Sequence, residues 1–247
     1  MGICFYYGRN GNLQKVRKNS VDYYLLPRPA KTLCYTLRQI LCNRKKASYE
    51  HEKIAISLLL EVVDDFKPDI IHIFGSENIY GLLTYHTQVP IVLHIQGLLL
   101  PCLNAFLPPS VSWKNYLFAS KRVKSVMQRF SDKLAWERNS LSEQRMLKKI
   151  KYLMGRTEWD YMVTRVINPD SVYFHCDEML RDAFYAGHLA RQLPNKALFV
   201  TTMSSFLYKG LDVVLKTAKI LKQMVGFEFE WLVYGYVDAA IAKKIRE

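Results

Sequence analysis

The stretch from residue 67 to residue 97 constrains the fold more than any other part of the chain. Lys67-Pro68-Asp69 interrupts what precedes it, Ile70–Phe74 is a short β-branched and aromatic run, and Gly75-Ser76-Glu77-Asn78 is a turn. A helix is expected from Ile79, and Pro90–Ile95 is a second apolar run ending at Gln96-Gly97. Proline lacks the N–H that a helix interior needs, so the break at Pro68 is physical. Two apolar runs too short for helices, separated by a helical length, form a βαβ unit with parallel strands. The segment Ser48–Phe66 just ahead is helical by period, with Ile54, Leu58, Glu61 and Val62 on neighbouring turns. Helix, strand, helix, strand is the rhythm of the α/β class. In such sheets ligands gather at the carboxyl ends of the strands, which draws attention to the residues after Phe74 and Ile95.

The rest of the chain fits around that unit. Met1–Tyr7 reads as a buried strand, Gly8–Ser20 as polar and turn-rich, Val21–Leu26 as a strand and Thr32–Cys42 as helical. Pro101–Trp113 is a proline-rich connection, and Trp113–Tyr152 is mainly helical and strongly basic. Asp160–Thr164 and Ser171–His175 are short elements, Cys176–Tyr185 is expected to be a helix, and Gly187–Lys196 suits a linker. The βα rhythm then restarts, with a strand at Ala197–Thr202, a helix at Lys209–Met224, a strand at Glu228–Tyr234 and a helix from Asp238. The expected architecture is two Rossmann-like domains, residues 1–190 and 191–247. The second is read as incomplete, because two strands cannot cover their own edges and faces.

Composition narrows the partners. The 247 residues are half apolar and carry a formal net charge of +13, which calls for an anionic partner or surface. The five cysteines, Cys4, Cys34, Cys42, Cys102 and Cys176, show no CxxC spacing, so a disulfide framework or zinc site is not expected and a reducing cytosol fits. No apolar run is long enough to span a bilayer, and no basic segment precedes an apolar one at the N-terminus. Nucleic acid is not expected as a partner, since no recognised binding module is present. No GxGxxG follows any expected strand, which removes support for a dinucleotide enzyme.

Three ordered segments together carry a resemblance: Pro68 to Glu77, Gly155-Arg156-Thr157-Glu158-Trp159-Asp160, and Tyr208-Lys209-Gly210-Leu211-Asp212. In their order and spacing the chain resembles the family 4 glycosyltransferases common in polysaccharide and lipopolysaccharide gene clusters. That resemblance implies the GT-B fold, with an acceptor-side N-terminal domain and a donor-side C-terminal domain. It implies a nucleotide-sugar donor as substrate, a glycan or lipid-linked acceptor, and neither cofactor nor metal. It also implies a cytoplasmic protein, peripheral to the inner face of a membrane.

The resemblance assigns residues as well. Lys209, with Gly210 behind it and Ser204-Ser205 ahead, matches the family's phosphate-binding lysine at the head of a helix, where unpaired N–H groups favour anions. The alternative is a solvated lysine at a helix start. Met203 stands where many members have an arginine, so the Ser204 and Ser205 hydroxyls would be weaker neutral donors. Gln96-Gly97 stands where many members have a histidine and a small or acidic residue. Gln96 does not change charge near neutrality, so His94, on the same strand face, is the candidate substitute or else a satisfied core histidine. His72 carries the same pair of readings. Gly75 would permit close approach of an acceptor. Glu77 would accept from an acceptor hydroxyl or complement a helix N-terminus. Arg156 and Asp160 match the acceptor side of the cleft, or pair with each other.

On the resemblance, a strand with a glycine-rich loop would precede Met1–Tyr7, and a spaced pair of glutamates would lie beyond Glu247, within roughly 100 further residues of donor domain. The chain alone is therefore expected to be inactive. The competing expectation is a non-catalytic scaffold of the same fold. It would dock an anionic membrane or partner through the basic residues of 113–152, among them Lys114, Lys121, Arg122, Lys124, Arg129, Lys133, Arg145, Lys148 and Lys149.

Overall fold

The computed structural model describes residues 1–9, 12–28, 44–109, 111–120, 122–187, 196–204 and 207–235. The expected helix at Thr32–Cys42 and the one from Asp238 lie outside the described residues. So do Ser205 and Lys121. The chain divides into two compact units, one of Met1–Leu100 with Ser131–Glu178, the other of Pro101–Phe130 with Met179–Glu247.

In the first unit, β1 (Gly2–Arg9) pairs parallel with β3 (Val21–Arg28), and β2 (Gln14–Lys18) pairs antiparallel with β3, giving the order β1-β3-β2. β2 falls inside the stretch expected to be only turns. Its residues are all exposed, so it has no apolar alternation to reveal it. The second sheet is wholly parallel, in the order β4 (Ile71–Phe74), β5 (Ile91–His94), β6 (Tyr152–Gly155) and β7 (Val172–His175). β6 starts where the stretch expected to be mainly helical ends, at Tyr152, and was not expected as a strand, because four residues do not establish a period of their own.

α1 (Arg44–Phe66) packs its Ile56, Leu59 and Val62 against Ile73, Leu93 and Leu153 of the parallel sheet, in one core with Tyr24 and Leu26 of β3. The Tyr24 hydroxyl donates to Asp65 at 2.5 Å, tying β3 to the end of α1. Between β4 and β5 runs a 3-10 helix, Ile79–Tyr85, where an ordinary α-helix was expected. Gly81 explains part of its seat: a Cβ there would press on Met146 and Ile150, so the turn lies close against the helix beneath.

α2 (Leu99–Asn104) and α3 (Trp113–Leu117) interrupt the proline-rich connection, and α4 (Val123–Lys149) carries most of the basic stretch. α5 (Glu158–Ile167) follows β6 and begins with a capping box, in which Asp160 N–H donates to Thr157 Oγ1 at 3.1 Å while the Asp160 carboxylate accepts from Thr157 N–H. The expected helix at Cys176–Tyr185 is shorter, α6 (Asp182–Ala186); its residues are exposed, so no apolar face holds a longer one.

In the second unit β8 (Ala197–Met203) pairs parallel with β9 (Phe229–Gly235) and α7 (Leu211–Leu221) joins them. Gly235, at φ +130°, brings its Cα so near the Met203 carbonyl that no Cβ fits. Among the described residues no helix is long and apolar enough to cross a membrane.

Candidate functional site

The four parallel strands of the first unit end side by side, and their last residues are knitted together. Gly75 N–H donates to the His94 carbonyl at 2.9 Å, Ile95 N–H to Met154 at 2.8 Å and Cys176 N–H to Gly155 at 2.8 Å. The loops after β4, β5, β6 and β7 thus form one rim, which holds Gly75 and Glu77, Gln96 and Gly97, Arg156, and Glu178.

His94 closes β5. It is 5% exposed, and its ring stacks on His72 at 5.7 Å and meets Phe74 edge-on at 5.2 Å. Burial holds its pKa below the ordinary value, and the neighbouring His72 pushes the same way, so the ring favours the neutral form. Its Nε2 is buried and finds no hydrogen-bond partner among the described residues, and the same holds for Gln96 Nε2. Two buried polar atoms without partners, two residues apart at the end of a strand, are uncommon in a settled core. A bound polar group would satisfy them.

Arg156 anchors the rim. Its Nη2 donates to the Gln96 carbonyl at 3.0 Å, and its Nη1 pairs with Glu178 at 2.5 Å. The side chain does not pair with Asp160; only the Arg156 backbone N–H reaches that carboxylate, at 3.2 Å. Asp160 is buried and committed to capping α5, so the structure brings it near the rim as a support. Gly97 has open space where a Cβ would stand. Gly75 has φ +86°, a left-handed conformation, and a Cβ there would collide with the Glu77 carboxylate folded back over it. The Glu77 carbonyl is held by Asn139 at 3.4 Å.

The sequence reading missed Glu143. This carboxylate is 1% exposed and accepts from Leu99 N–H at 2.8 Å, Leu100 N–H at 3.2 Å and the Ser76 hydroxyl. Ser76 is also 3.0 Å from the Gly97 carbonyl. Burial raises the Glu143 pKa, while these bonds lower it. Glu143 therefore fixes the loops after β4 and β5 from below. An acidic residue in the middle of a basic helix was the available signal.

The second unit places Lys209 at the end of a 3-10 turn, Leu207–Lys209, directly before α7. The side chain is exposed and lies over the Tyr208 ring at 5.3 Å. Gly210 is the N-cap of α7, at φ +82° with open space around it, and among the described residues no side chain caps the helix N-terminus. Ser204 is exposed at the end of β8. Asp212, in the first turn of α7, is buried and paired with Lys216 at 3.1 Å.

Several cations of the basic stretch already have partners within their own unit. Arg145 makes a two-pronged pair with Glu52 at 2.9 and 3.0 Å, and Lys133 pairs with Glu137 at 2.6 Å. Arg129 is buried with its guanidinium over Tyr116 at 5.6 Å. Lys124, Lys148 and Lys149 are exposed.

No protein-family model matches the chain, and no curated protein matches it in sequence. Solved structures do. The OtsA apo structure superposes with a TM-score of 0.54 at 14% identity, covering 99% of this chain and 61% of that one. Trehalose-6-phosphate synthase, OtsA, gives 0.53 at 13% identity over 99% and 60%. A structure of trehalose-6-phosphate from E. coli bound with UDP-2-fluoro glucose gives 0.51 at 12% identity over 99% and 60%. The fold is that of these GT-B proteins, with Rossmann-like parallel sheets. The chain spans about three-fifths of their length.

Proposed function

We propose that the chain is the acceptor-side domain and the beginning of the donor-side domain of a glycosyltransferase that uses a nucleotide-sugar. One observation carries the reading: at the rim of a GT-B-type sheet, His94 and Gln96 bury polar atoms with no partner among the described residues. Those atoms suit a hydroxylated ligand, which both donates and accepts. A neutral His94 could accept a proton from an acceptor hydroxyl or donate a hydrogen bond to a sugar, according to its tautomer. Arg156, Ser76 and Glu143 hold the loops that present these groups.

On the donor side, Lys209 and the uncapped start of α7 would meet a diphosphate, an ammonium adding its charge to the helix-end N–H groups. Charge develops on the departing nucleoside diphosphate, so this is where stabilisation would matter. Asp212 opposes that field, and its pairing with Lys216 reduces the opposition. The likeness to trehalose-6-phosphate synthase supports a nucleotide-sugar donor, and the three sequence segments support a family 4 enzyme with a glycan or lipid-linked acceptor. The 247-residue chain by itself would bind a donor weakly and turn over little.

A panel of nucleotide-sugars in a thermal-shift assay tests the reading. At least one should raise the melting temperature of the chain, and the free sugar and free nucleoside should not. A panel with no effect at millimolar concentration would count against it.

A further inference from the structure

Glu178 lies shortly beyond the end of β7, and among the described residues its carboxylate meets only Nη1 of Arg156, at 2.5 Å. The two side chains are 35% and 37% exposed, so water screens the pair and it adds little to stability. Arg156 has a second hold. Its Nη2 donates to the Gln96 carbonyl at 3.0 Å, whatever stands at Nη1. A planar guanidinium fixed by one nitrogen keeps the other aimed, so the place opposite Nη1 is set for a carboxylate before one arrives. Glu178 fills that place.

Strand order locates it. Arg156 follows β6 and Glu178 follows β7, while Glu77, another exposed acid of the rim, follows β4 on the far side of β5. All of these residues belong to the first unit. The Arg156 and Glu178 charges both act on the His94 ring, so the carboxylate place is close to the end of β5. There the buried Nε2 atoms of His94 and Gln96 have no partner among the described residues. A hydroxylated molecule satisfies those two atoms. If it also carries a carboxylate, it exchanges one screened ion pair for another at Arg156 and gains hydrogen bonds at the buried atoms that Glu178 leaves unmet. A neutral molecule makes no such exchange.

We propose that the rim takes a sugar acid as acceptor, whose carboxylate replaces Glu178 on Arg156 while its hydroxyls meet His94 and Gln96. Glu178 is then a built-in competitor, which occupies the place until such an acceptor displaces it. This rests on the reading of the rim as the acceptor side, and adds the class of acceptor.

Titration of the full chain, followed by NMR with the arginine side chains labelled with nitrogen-15, tests it without any nucleotide-sugar present. The probes are methyl glucuronide, methyl glucoside and acetate. The glucuronide should shift the Arg156 guanidinium signal and bind at least about tenfold more tightly than either of the others. Glu178→Gln removes the competitor, and should tighten the glucuronide by about three- to fivefold while leaving the glucoside unchanged. A Glu178 that only supports the loop would instead leave the glucuronide unchanged or weaken it. Should that variant fail to fold, the three probes on the parent chain carry the comparison.

Equal binding of glucuronide and acetate is general attraction to a basic chain, and would overturn the proposal. So would equal binding of glucuronide and glucoside, no binding of the glucuronide at millimolar concentration, or no gain in a folded Glu178→Gln. Nucleotide-sugar binding at Lys209 is measured separately. A chain that binds the nucleotide-sugar but shows no preference for the glucuronide loses the sugar-acid acceptor and keeps the glycosyltransferase reading.

Discussion

The guanidinium of Arg156 donates to the main-chain carbonyl of Gln96 at 3.0 Å, so the residue that follows β6 holds the residue that ends the β5 loop. The contact spans 60 positions of sequence and is direct. A hydrogen bond from a charged donor to a half-buried carbonyl is worth about 1–2 kcal/mol. Arg156→Ala should therefore accelerate amide exchange at Gln96 and Gly97 by roughly tenfold while leaving β5 itself protected. Arg156→Lys should recover only part, since one ammonium cannot reach both Gln96 and Glu178 in the fork geometry. Unchanged exchange in Arg156→Ala would remove Arg156 from its anchoring role.

His94 makes stability depend on pH. Its folded-state pKa lies below the ordinary value of 6.5, chiefly because burial disfavours the charged ring. The unfolded chain then binds the proton more readily, so the contribution is complete above about 6.5 and is lost as pH falls through the lower folded value. Urea melts should show a loss of stability below pH 6.5 that is reduced in His94→Gln. A variant with the same pH profile as the parent would contradict this.

Glu143 separates hydrogen bonding from charge. Glu143→Gln retains an oxygen to accept from Leu99 and Leu100, and removes a carboxylate whose pKa burial raises. Relative to the unfolded chain, that raised pKa favours the folded state below the ordinary value of 4.5, and the benefit is lost as pH rises through the folded value. Glu143→Gln should thus be close to neutral at pH 7. Glu143→Leu leaves two buried N–H groups and the Ser76 hydroxyl without an acceptor, a cost of about 1–3 kcal/mol for each group left unsatisfied. Chemical denaturation of the two variants measures the difference.

The sequence made the parallel unit around Ile70–Phe74 and Pro90–Ile95 legible because its strands are short, apolar and bounded by Pro68, Gly75 and Gly97. It did not reveal β2, whose residues are all solvated, or β6, which continues directly from a long helix. The rim residues Gly75 and Gln96 could be named from their places after strands, and Arg156 from the family resemblance. Their partners could not: Arg156 turned to Glu178 and the Gln96 carbonyl, and Asp160 to the cap of α5. Such choices depend on where distant loops meet, and no local period encodes that. Glu143 was hidden for the same reason, being one of three acids in a basic helix until the fold places Leu99 and Ser76 against it.

Binding of a nucleotide-sugar through the start of α7 is the most direct consequence of the proposed function. Saturation-transfer NMR with a uridine diphosphate sugar detects binding in the millimolar range, about 4 kcal/mol. Transfer to the nucleotide and sugar protons is expected in the parent chain, retained in Lys209→Arg and lost in Lys209→Ala. Transfer of equal strength in Lys209→Ala, or none from any nucleotide-sugar to the folded parent chain, would contradict it.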